Sequence, residues 1–381
     1  MIRVRHLYIH VPFCSGKCAY CAFYSVPYDA ALADRFLDAL ARELLRWAGR
    51  GAVEDCQTLY IGGGTPSVLS EDQWVRLLSV LAPVVSAGVA EWTVEANPGT
   101  LTPAVLERMV AAGVNRISMG VQSFDTTVLQ HMQRCHAACD VGPFVERVRA
   151  AGISNIGLDL IAGLPGVDVA GWGATVEQAI ALEPAHISVY ALGLEPGSAL
   201  SQWVRRGTAV VPNDEAVLKA LEQAEGALEA AGHRRYELSN YALPGRECIH
   251  NLSCWRGGDY IGFGPAAASR AGLKRWTHKA DLTAYCRALE GHQAPPAERE
   301  EVDARTDLVE RLMFGLRLTE GVAVESKCKA AGKIGAALWR DWRTEWVRLE
   351  KEGLLTRSPS HWKATRRGCD VLDAVLEQLV G

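Results

Sequence analysis

Three closely spaced cysteines near the start of the sequence constrain this chain more than any other feature. Cys14, Cys18 and Cys21 have the spacing C-x3-C-x2-C and follow an apolar run with β propensity from Leu7 to Val11. Cysteine thiolates are the protein ligands of iron–sulfur clusters, so three of them on one loop can hold three irons of a [4Fe-4S] cluster. The fourth iron would then lack a protein ligand and would be open to a small molecule.

A structural zinc site is the alternative for the same cysteines. Such sites usually take four ligands, often as paired C-x2-C motifs. The sequence has no second C-x2-C pair, and the next cysteine along the chain is Cys56. The spacing therefore favours a cluster, and we interpret the scattered cysteines as isolated thiols. These are Cys56, Cys135, Cys139, Cys248, Cys286, Cys328 and Cys369.

Composition narrows the class of protein. With 381 residues, 49% of them hydrophobic and 22% charged, the chain is typical of a globular protein of two or three domains. The net charge of −4 gives no electrostatic indication of nucleic-acid binding. We find no long apolar run and no signal-peptide pattern in the first five residues, which predicts a cytoplasmic protein without a membrane span, although peripheral membrane contact stays open.

Short β-type runs alternate with helical patterns through the first half of the chain. This order predicts parallel strands joined by crossover helices, and six repeats favour an incomplete (β/α)6 TIM-like barrel. A doubly wound open sheet is the alternative, because periodicity does not distinguish the two α/β folds. The predicted strands are Leu7–Val11, Thr58–Ile61, Trp92–Glu95, Arg116–Met119, Ile156–Leu160 and Ile187–Ala191.

The second half of the chain is less regular. Asn213–Ala231 reads as a helix capped by Asn213 or Asp214, and Tyr241–Ala268 reads as a pocket-lining loop. A Pro- and Glu-rich stretch indicates a linker before a C-terminal helical, winged-helix-like domain. The predicted division is a partial barrel at 1–200, a barrel extension at 201–292, a linker at 293–302 and the C-terminal domain at 303–381.

Glycine or polar residues stand at the ends of successive predicted strands. The run Gly62–Pro66 (GGGTP) follows the second strand, where glycines let backbone amides approach a ligand; the alternative is a plain strand-to-helix turn. Glu95 ends the third strand and Gln122 the fourth. Asp159 lies within the apolar fifth strand, where a carboxylate needs a partner. Active sites of barrels collect at the carboxyl ends of strands, so these positions predict a ligand site.

The cysteine spacing, with Tyr8 before the first cysteine and Tyr20 just before the third, resembles that of the radical S-adenosylmethionine (SAM) superfamily. The resemblance implies that the open iron binds the amino and carboxylate groups of SAM. It also implies that the cluster, reduced by a protein such as flavodoxin or ferredoxin, cleaves SAM to methionine and a 5′-deoxyadenosyl radical.

Further segments are similar to the coproporphyrinogen-oxidase-like branch of that superfamily over nearly the whole chain. They are YIHVPFCSGKCAYC, GGGTP, EANPGT, GVQSF, QRCH, LDLIAGLPG, HISVYALGLEPGS, HNLSCWRGGDYIGFGPAAAS and MFGLRLTEGV.

Mapped residue by residue, the resemblance implies that Cys14, Cys18 and Cys21 are the cluster ligands. Arg134 is expected to bind the SAM carboxylate, and Glu95 the ribose hydroxyls or the ammonium group. Asp159 is expected to pair with a ribose hydroxyl or with Arg134. The implied SAM contacts are Tyr8, Gly63, Gly64, Thr65, Glu95, Gln122, Arg134 and Asp159, with a weaker case for Ala191.

Two functions compete within that branch. Oxygen-independent coproporphyrinogen III dehydrogenases typically carry a fourth cysteine two positions after the third and a long segment before the barrel. Phe23 occupies that position here, and the cysteine motif lies close to Met1. Both departures resemble the HemW-type heme chaperones, which bind heme and transfer it to recipient hemoproteins. The chaperone function is therefore the expectation, with a homodimer as an open possibility and a tetrapyrrole-modifying enzyme as the alternative.

The heme chaperones carry an H-N-x-x-[YF]-W motif tied to heme binding. The corresponding residues here are His250, Asn251, Cys254 and Trp255, in the segment HNLSCW. Cys254 departs from the motif, which leaves two hypotheses: a changed or shared iron ligand, or a small packing substitution for an aromatic residue. Trp255, Tyr260 and Phe263 are candidates to enclose a porphyrin face; the alternative is packing in the core, where aromatic clusters are more often found.

Overall fold

A computed structural model of the protein describes residues 4–49, 55–85 and 88–380. Residues 1–3, which belong to the segment predicted to lack a signal peptide, lie outside the described residues. The strands are β1 (His6–Val11), β2 (Phe13–Cys14), β3 (Val26–Pro27), β4 (Thr58–Gly63), β5 (Glu91–Ala96), β6 (Arg116–Gln122), β7 (Asn155–Ala162), β8 (His186–Ala191), β9 (Arg234–Arg235), β10 (Asn240–Ala242), β11 (Tyr260–Phe263), β12 (Ala268–Ala271), β13 (Lys274–His278), β14 (Ala297–Glu301), β15 (Leu355–Arg357) and β16 (Trp362–Ala364).

The helices cover most of the remaining chain. They are α1 (Ala30–Ala48), α2 (Glu71–Leu81), α3 (Pro103–Ala112), α4 (Thr126–His131), α5 (Val141–Ala150), α6 (Val169–Ala181), α7 (Ala199–Arg205), α8 (Asp214–Ala230), α9 (Ile249–Trp255), α10 (Leu282–Glu290), α11 (Ala304–Leu316), α12 (Val324–Ala330), α13 (Gly332–Lys351), α14 (Arg366–Asp370) and α15 (Leu372–Val380). No helix within the described residues is both long and apolar enough to cross a membrane.

The central sheet has the order β14-β13-β12-β11-β1-β4-β5-β6-β7-β8-β10-β9. Strands β1 and β4 to β8 are parallel neighbours in chain order, which confirms the six predicted strands. From β1 to β8 the strands add in one direction only, as in a partial barrel, and the later strand β11 pairs in parallel with the other side of β1. Its two edge strands, β14 and β9, are not paired with each other in the described structure, so the barrel is open.

The two faces of the sheet differ in chemistry because side chains alternate along each strand. Leu7 and Ile9 on β1 are completely buried in a large apolar cluster that extends over the helices. The intervening Tyr8 instead contacts Tyr60 of β4 and His10. The same alternation on neighbouring strands gathers polar side chains on the concave face, at and below the ends of the strands.

The predicted pocket-lining loop at 241–268 is wrong in part, since it contains helix α9 and strand β11. The amino end of α9 is held by the carboxylate of Glu91 at the start of β5, which accepts hydrogen bonds from the Ile249 and His250 amides at 2.7 and 3.0 Å. This anchor is distant in sequence, so local propensity does not reveal it.

The predicted linker at 293–302 also differs, because it contains strand β14, which pairs antiparallel with β13. Across this pair Arg275 donates to Glu300 at 2.8 Å. Charged residues are common on exposed edge strands, where they discourage association with other sheets. A charged sequence can therefore form a strand although it lacks the usual apolar pattern.

The C-terminal region has its own apolar cluster, built around Trp342, Trp346 and Trp362. Trp346 and Trp362 meet edge to face, with ring centroids 5.3 Å apart. Helices α11 to α15 and the β15–β16 hairpin surround this cluster, as the predicted winged-helix-like arrangement requires. Arg270 on β12 contacts Asp307 and Glu310 on α11 and thereby ties this region to the sheet.

Candidate functional site

The three cysteines lie on a loop whose backbone is fixed at several points. The loop leaves β2 and returns to β3, where the Tyr28 amide donates to the Cys14 carbonyl at 2.9 Å. Ala19 in the middle of the loop donates to Met132 and accepts from Leu200, at 3.1 and 2.8 Å. All three thiols remain partly exposed. The loop therefore presents its sulfurs on a positioned backbone, as a cluster site requires.

Two of the sulfurs have polar partners from the strand ends. The Arg134 Nη1 donates to Cys18 Sγ at 3.4 Å, and the Thr65 hydroxyl lies 3.6 Å from Cys14 Sγ. Hydrogen bonds to ligand sulfurs tune the reduction potential of iron–sulfur clusters. Arg134 and Thr65 are thus placed to act directly on any cluster that these sulfurs hold, a role that the sequence did not suggest.

Among the described residues, no three His, Cys, Asp or Glu side chains converge as the ligands of a single ion must. A cubane is held at separate corners, so its ligand sulfurs need not meet at one point.

The glycine turn after β4 is required by close packing. A Cβ on Gly64 would lie 2.5 Å from the carbonyl oxygen of Phe13, and one on Gly63 would lie 2.7 Å from the His10 ring. Gly63 also has a φ of 111°. The amides of Gly64 and Thr65 donate to the carbonyls of Val11 and Phe13, at 2.9 and 2.7 Å. These two amides donate within the protein, which leaves the carbonyls of the turn and the Thr65 side chain for a ligand; the contacts of Gly63, Gly64 and Thr65 with SAM stay a prediction.

The His10 side chain lies directly under the glycine turn and is fixed by two hydrogen bonds. Its Nε2 lies 2.9 Å from the Tyr24 carbonyl, which can only accept, so Nε2 carries the proton. Nδ1 then accepts from the Tyr8 hydroxyl at 3.1 Å. Burial lowers the pKa of His10, which keeps the ring neutral. Tyr8 therefore positions a histidine under the glycine turn, and its contact with SAM stays a prediction.

Glu95 faces the concave side of the sheet and accepts two hydrogen bonds. They come from the Tyr60 hydroxyl at 2.8 Å and the Gly63 amide at 3.2 Å. Burial raises the pKa of Glu95 to about 7, and the nearby carboxyl of Asp159 adds to the shift. The charge that Glu95 offers to an ammonium or hydroxyl group therefore changes close to neutral pH.

Arg134 is buried among acceptors and is held in one orientation. Its Nη2 donates to Asn97 Oδ1 at 2.7 Å and contacts the Gly120 carbonyl, and its Nη1 also reaches the Tyr20 hydroxyl at 3.4 Å. Its Nε is buried without a partner. An unpaired guanidinium N–H fits the expected approach of a carboxylate, which such groups bind readily.

One of the two sequence expectations paired Asp159 with Arg134, but the described structure has no ion pair between them. Asp159 lies 3.4 Å from the Ser118 hydroxyl, and burial raises its pKa although Ser188, Ser118 and Arg116 favour the ionised form. Arg116 is completely enclosed, with one weak bond to Thr93 and an unpartnered Nε. A ribose hydroxyl stays the expected partner of Asp159.

Gln122 and His136 complete this end of the sheet. Gln122 has a φ of 68° at a β-bulge, which turns its side chain towards Gly120 at the rim. Both ring nitrogens of His136 are buried without a hydrogen-bond partner. Burial and the charge of Arg134 lower the pKa of His136 to about 4, so it is neutral. Ala191 lies at the exposed end of β8.

His250 lies at the opposite end of the strands from the cysteine loop. Its Nδ1 is 2.8 Å from the hydroxyl of Thr58, the first residue of β4, and the same hydroxyl is 2.9 Å from His6 Nδ1. Thr58 has one proton, so at least one of the two imidazoles must donate. Burial lowers the pKa of His250 to about 3, with His6 and Arg116 contributing.

Cys254 and Trp255 line a cavity of about 650 Å³ between α11 and the sheet extension, which consists of strands β11 to β14. His250 does not line this cavity. Tyr260 lines it too, whereas Phe263 is completely buried in the core, so its expected place beside a porphyrin is wrong. Asn251 is half-buried on the first turn of α9. The predicted heme residues are therefore divided between a buried network and an open cavity.

Three residues of these networks were missed by sequence reasoning. Asn97 joins Thr65 to Arg134, Glu91 anchors α9, and Arg116 fills the barrel interior. Asn97 stands within the quoted EANPGT segment and could have been found there. Glu91 and Arg116 are the first residues of their strands, and residues at that end of a barrel are expected to contribute to stability and not to ligand binding.

Comparison with known proteins agrees with this arrangement. Residues 8–179 match the model of the radical SAM superfamily, and residues 302–371 match the HemN C-terminal domain. Heme chaperone HemW of Bacillus subtilis is 34% identical, with 96% of each chain covered. Heme chaperone HemW of Escherichia coli is also 34% identical, with 97% of each chain covered.

A solved structure shows the same fold. Coproporphyrinogen III oxidase (HemN) of Escherichia coli, described as a radical SAM enzyme, matches with a TM-score of 0.85 at 23% identity. The match covers 99% of this chain and 90% of that one. The identity to the chaperones over the whole chain shows that this chain belongs to the HemW family of radical SAM proteins.

Proposed function

We propose that this protein binds heme and transfers it to recipient hemoproteins, and that it carries a [4Fe-4S] cluster and SAM. The observation that carries the proposal is 34% identity to heme chaperones along the whole chain, joined to an HNLSCW segment that lies beside a large cavity. We assign the cluster and SAM to the partial barrel at 1–200, heme to the extension at 201–292, and a partner-facing role to 303–381.

The residues present fit the cluster and SAM. Cys14, Cys18 and Cys21 offer partly exposed sulfurs, and the unpartnered Nε of Arg134 suits the carboxylate of SAM. Glu95 and Asp159 offer acceptors for its ammonium and ribose hydroxyls. When bound, the cluster supplies an electron for SAM cleavage, provided by a reductant of the flavodoxin or ferredoxin type in the cytoplasm.

A radical enzyme acting on a tetrapyrrole is the second candidate. It is favoured by the complete set of SAM residues and by the fold shared with coproporphyrinogen III oxidase. The cysteine loop argues against that particular reaction, because Phe23 stands where the dehydrogenases typically have a fourth cysteine. Its side chain is 71% exposed and offers no ligand atom.

An anaerobic titration of the cluster-reconstituted protein with heme separates the two functions. We expect the Soret band to saturate near one heme per chain. We also expect no coproporphyrinogen-dependent release of 5′-deoxyadenosine when SAM and a reductant are supplied. If heme does not saturate and 5′-deoxyadenosine appears with coproporphyrinogen III, the chaperone proposal is replaced by the enzyme.

A further inference from the structure

We propose that Cys254 holds the heme iron, in the cavity between the sheet extension and helix α11. This inference rests on the proposed heme-binding function and specifies its site and ligand. The cavity measures about 650 Å³, within the range of roughly 300–1,000 Å³ typical of small-molecule sites. Aromatic side chains form much of its wall, which suits a flat, largely apolar ring.

Helix α9 directs its histidine and its cysteine to different surroundings. His250 is 6% exposed and fixed against Thr58, and it does not line the cavity. Cys254 lies one turn further along α9, lines the cavity and is partly exposed. A ligand that enters the cavity therefore reaches the sulfur without disturbing the buried imidazole network, whereas His250 would have to leave it.

The cavity also offers cationic groups for the carboxylates of a heme. Arg270 is 7% exposed and lines the cavity, and its Nε has no hydrogen-bond partner although its other nitrogens contact Asp307 and Glu310. Arg299 lines the cavity from β14 and has no ion pair among the residues that the structure describes. A buried, unpaired guanidinium N–H beside an open cavity indicates an anionic acceptor.

The ring of Trp255 is oriented by its neighbours. It meets Phe314 of α11 edge to face at 5.9 Å, and the Arg317 guanidinium lies 5.5 Å from its centroid. Trp255 is thus held at the wall of the cavity, next to Cys254. The cavity joins a potential iron ligand and an aromatic wall with three arginines and the carboxylates of Glu298, Glu300 and Glu310. Glu300 and Glu310 are paired with Arg275 and Arg270, so the Arg270 Nε and Arg299 are the groups left for a heme carboxylate.

Binding exchanges a proton for the metal. Burial raises the pKa of the Cys254 thiol to about 12, so the empty site holds the neutral thiol. When heme enters, the S–H bond breaks, the proton passes to solvent and an Fe–S bond forms, while the iron keeps its oxidation state. A thiolate ligand is a recognised alternative to imidazole for heme iron.

The test compares ferric heme complexes of the cluster-reconstituted, full-length protein by absorption and electron paramagnetic resonance. The wild-type complex is expected to show thiolate ligation. Cys254→Ser is expected to lose that signature and to bind heme at least about tenfold more weakly, which corresponds to about 1.4 kcal/mol. His250→Gln is expected to keep the thiolate signature. Cys369→Ser removes another half-buried thiol in the C-terminal region and should match the wild type.

The possible outcomes distinguish an error in the assigned iron ligand from an error in the proposed heme-binding function. A wild-type spectrum without thiolate ligation, or an unchanged spectrum and affinity in Cys254→Ser, overturns the assignment of Cys254 and leaves the heme chaperone standing. If the wild type shows imidazole ligation and His250→Gln alone abolishes it, the iron ligand is His250. Absence of saturable heme binding in the wild type overturns the proposed function itself. If Cys254→Ser fails to fold, as judged by circular dichroism and iron content, the wild-type spectrum alone decides.

Discussion

Cys14→Ser is expected to abolish the iron–sulfur cluster. Iron content after anaerobic reconstitution should fall from about four atoms per chain to less than one, and the visible charge-transfer absorption should disappear. The reason is geometric: the proposed site has one sulfur for each of three cluster corners, and no other described cysteine belongs to the loop. Iron analysis and the visible spectrum of the reconstituted protein measure the effect.

Cys139→Ser is the matched control, because Cys139 is an exposed thiol outside the loop. It should reconstitute like the wild type. Equal iron content in Cys14→Ser and the wild type would contradict the ligand assignment. Equal loss in both variants would show that reconstitution depends on thiols in general and not on this loop.

Glu91→Ala is expected to lower the free energy of unfolding by at least about 2 kcal/mol, because removal of a buried charged acceptor leaves its donors unsatisfied. Glu91 is 2% exposed and accepts from the Ile249 and His250 amides and from Cys248 Sγ, 3.3 Å away. Its loss leaves these donors unpaired and removes one of the negative charges that act on the buried Arg116. Heme affinity should fall too, since Glu91 holds the helix that carries His250 and Cys254.

Denaturant unfolding of the protein and heme titration measure the two effects. Glu177→Ala, which removes an exposed carboxylate from α6, should change stability by no more than about 0.5 kcal/mol. Glu91→Gln keeps one acceptor oxygen and should lie between the wild type and Glu91→Ala. If Glu91→Ala and Glu177→Ala were equally stable, Glu91 would not be the anchor of α9.

The parallel part of the fold could be predicted from the sequence because its signals are local. Apolar runs such as Leu7–Val11 separate the helical patterns, and the strands then associate in chain order. Strand β14 was missed because its residues are charged and its pairing with β13 depends on cross-strand contacts such as Arg275 with Glu300. Such contacts join residues distant in sequence and leave no periodic pattern.

The sequence predicted which residues lie near the candidate site better than it predicted which atoms they contact. Gly63, Gly64 and Thr65 do lie beside the cysteine loop, but the amides of Gly64 and Thr65 bond to the backbone of the protein itself. Arg134 does face this loop, but it bonds to Asn97 and Cys18 and not to Asp159. Which donor meets which acceptor depends on side-chain geometry that strand positions do not specify.

Heme transfer tests the central claim most directly. The cluster-reconstituted protein, loaded with one heme and freed of excess, is mixed with an excess of an apo-hemoprotein, and the Soret bands of donor and acceptor are followed. Transfer faster than spontaneous heme loss to a passive scavenger, and dependent on acceptor concentration, is the result that a chaperone predicts. A rate equal to the loss to the scavenger and independent of the acceptor would contradict it, because heme would then leave without a transfer complex.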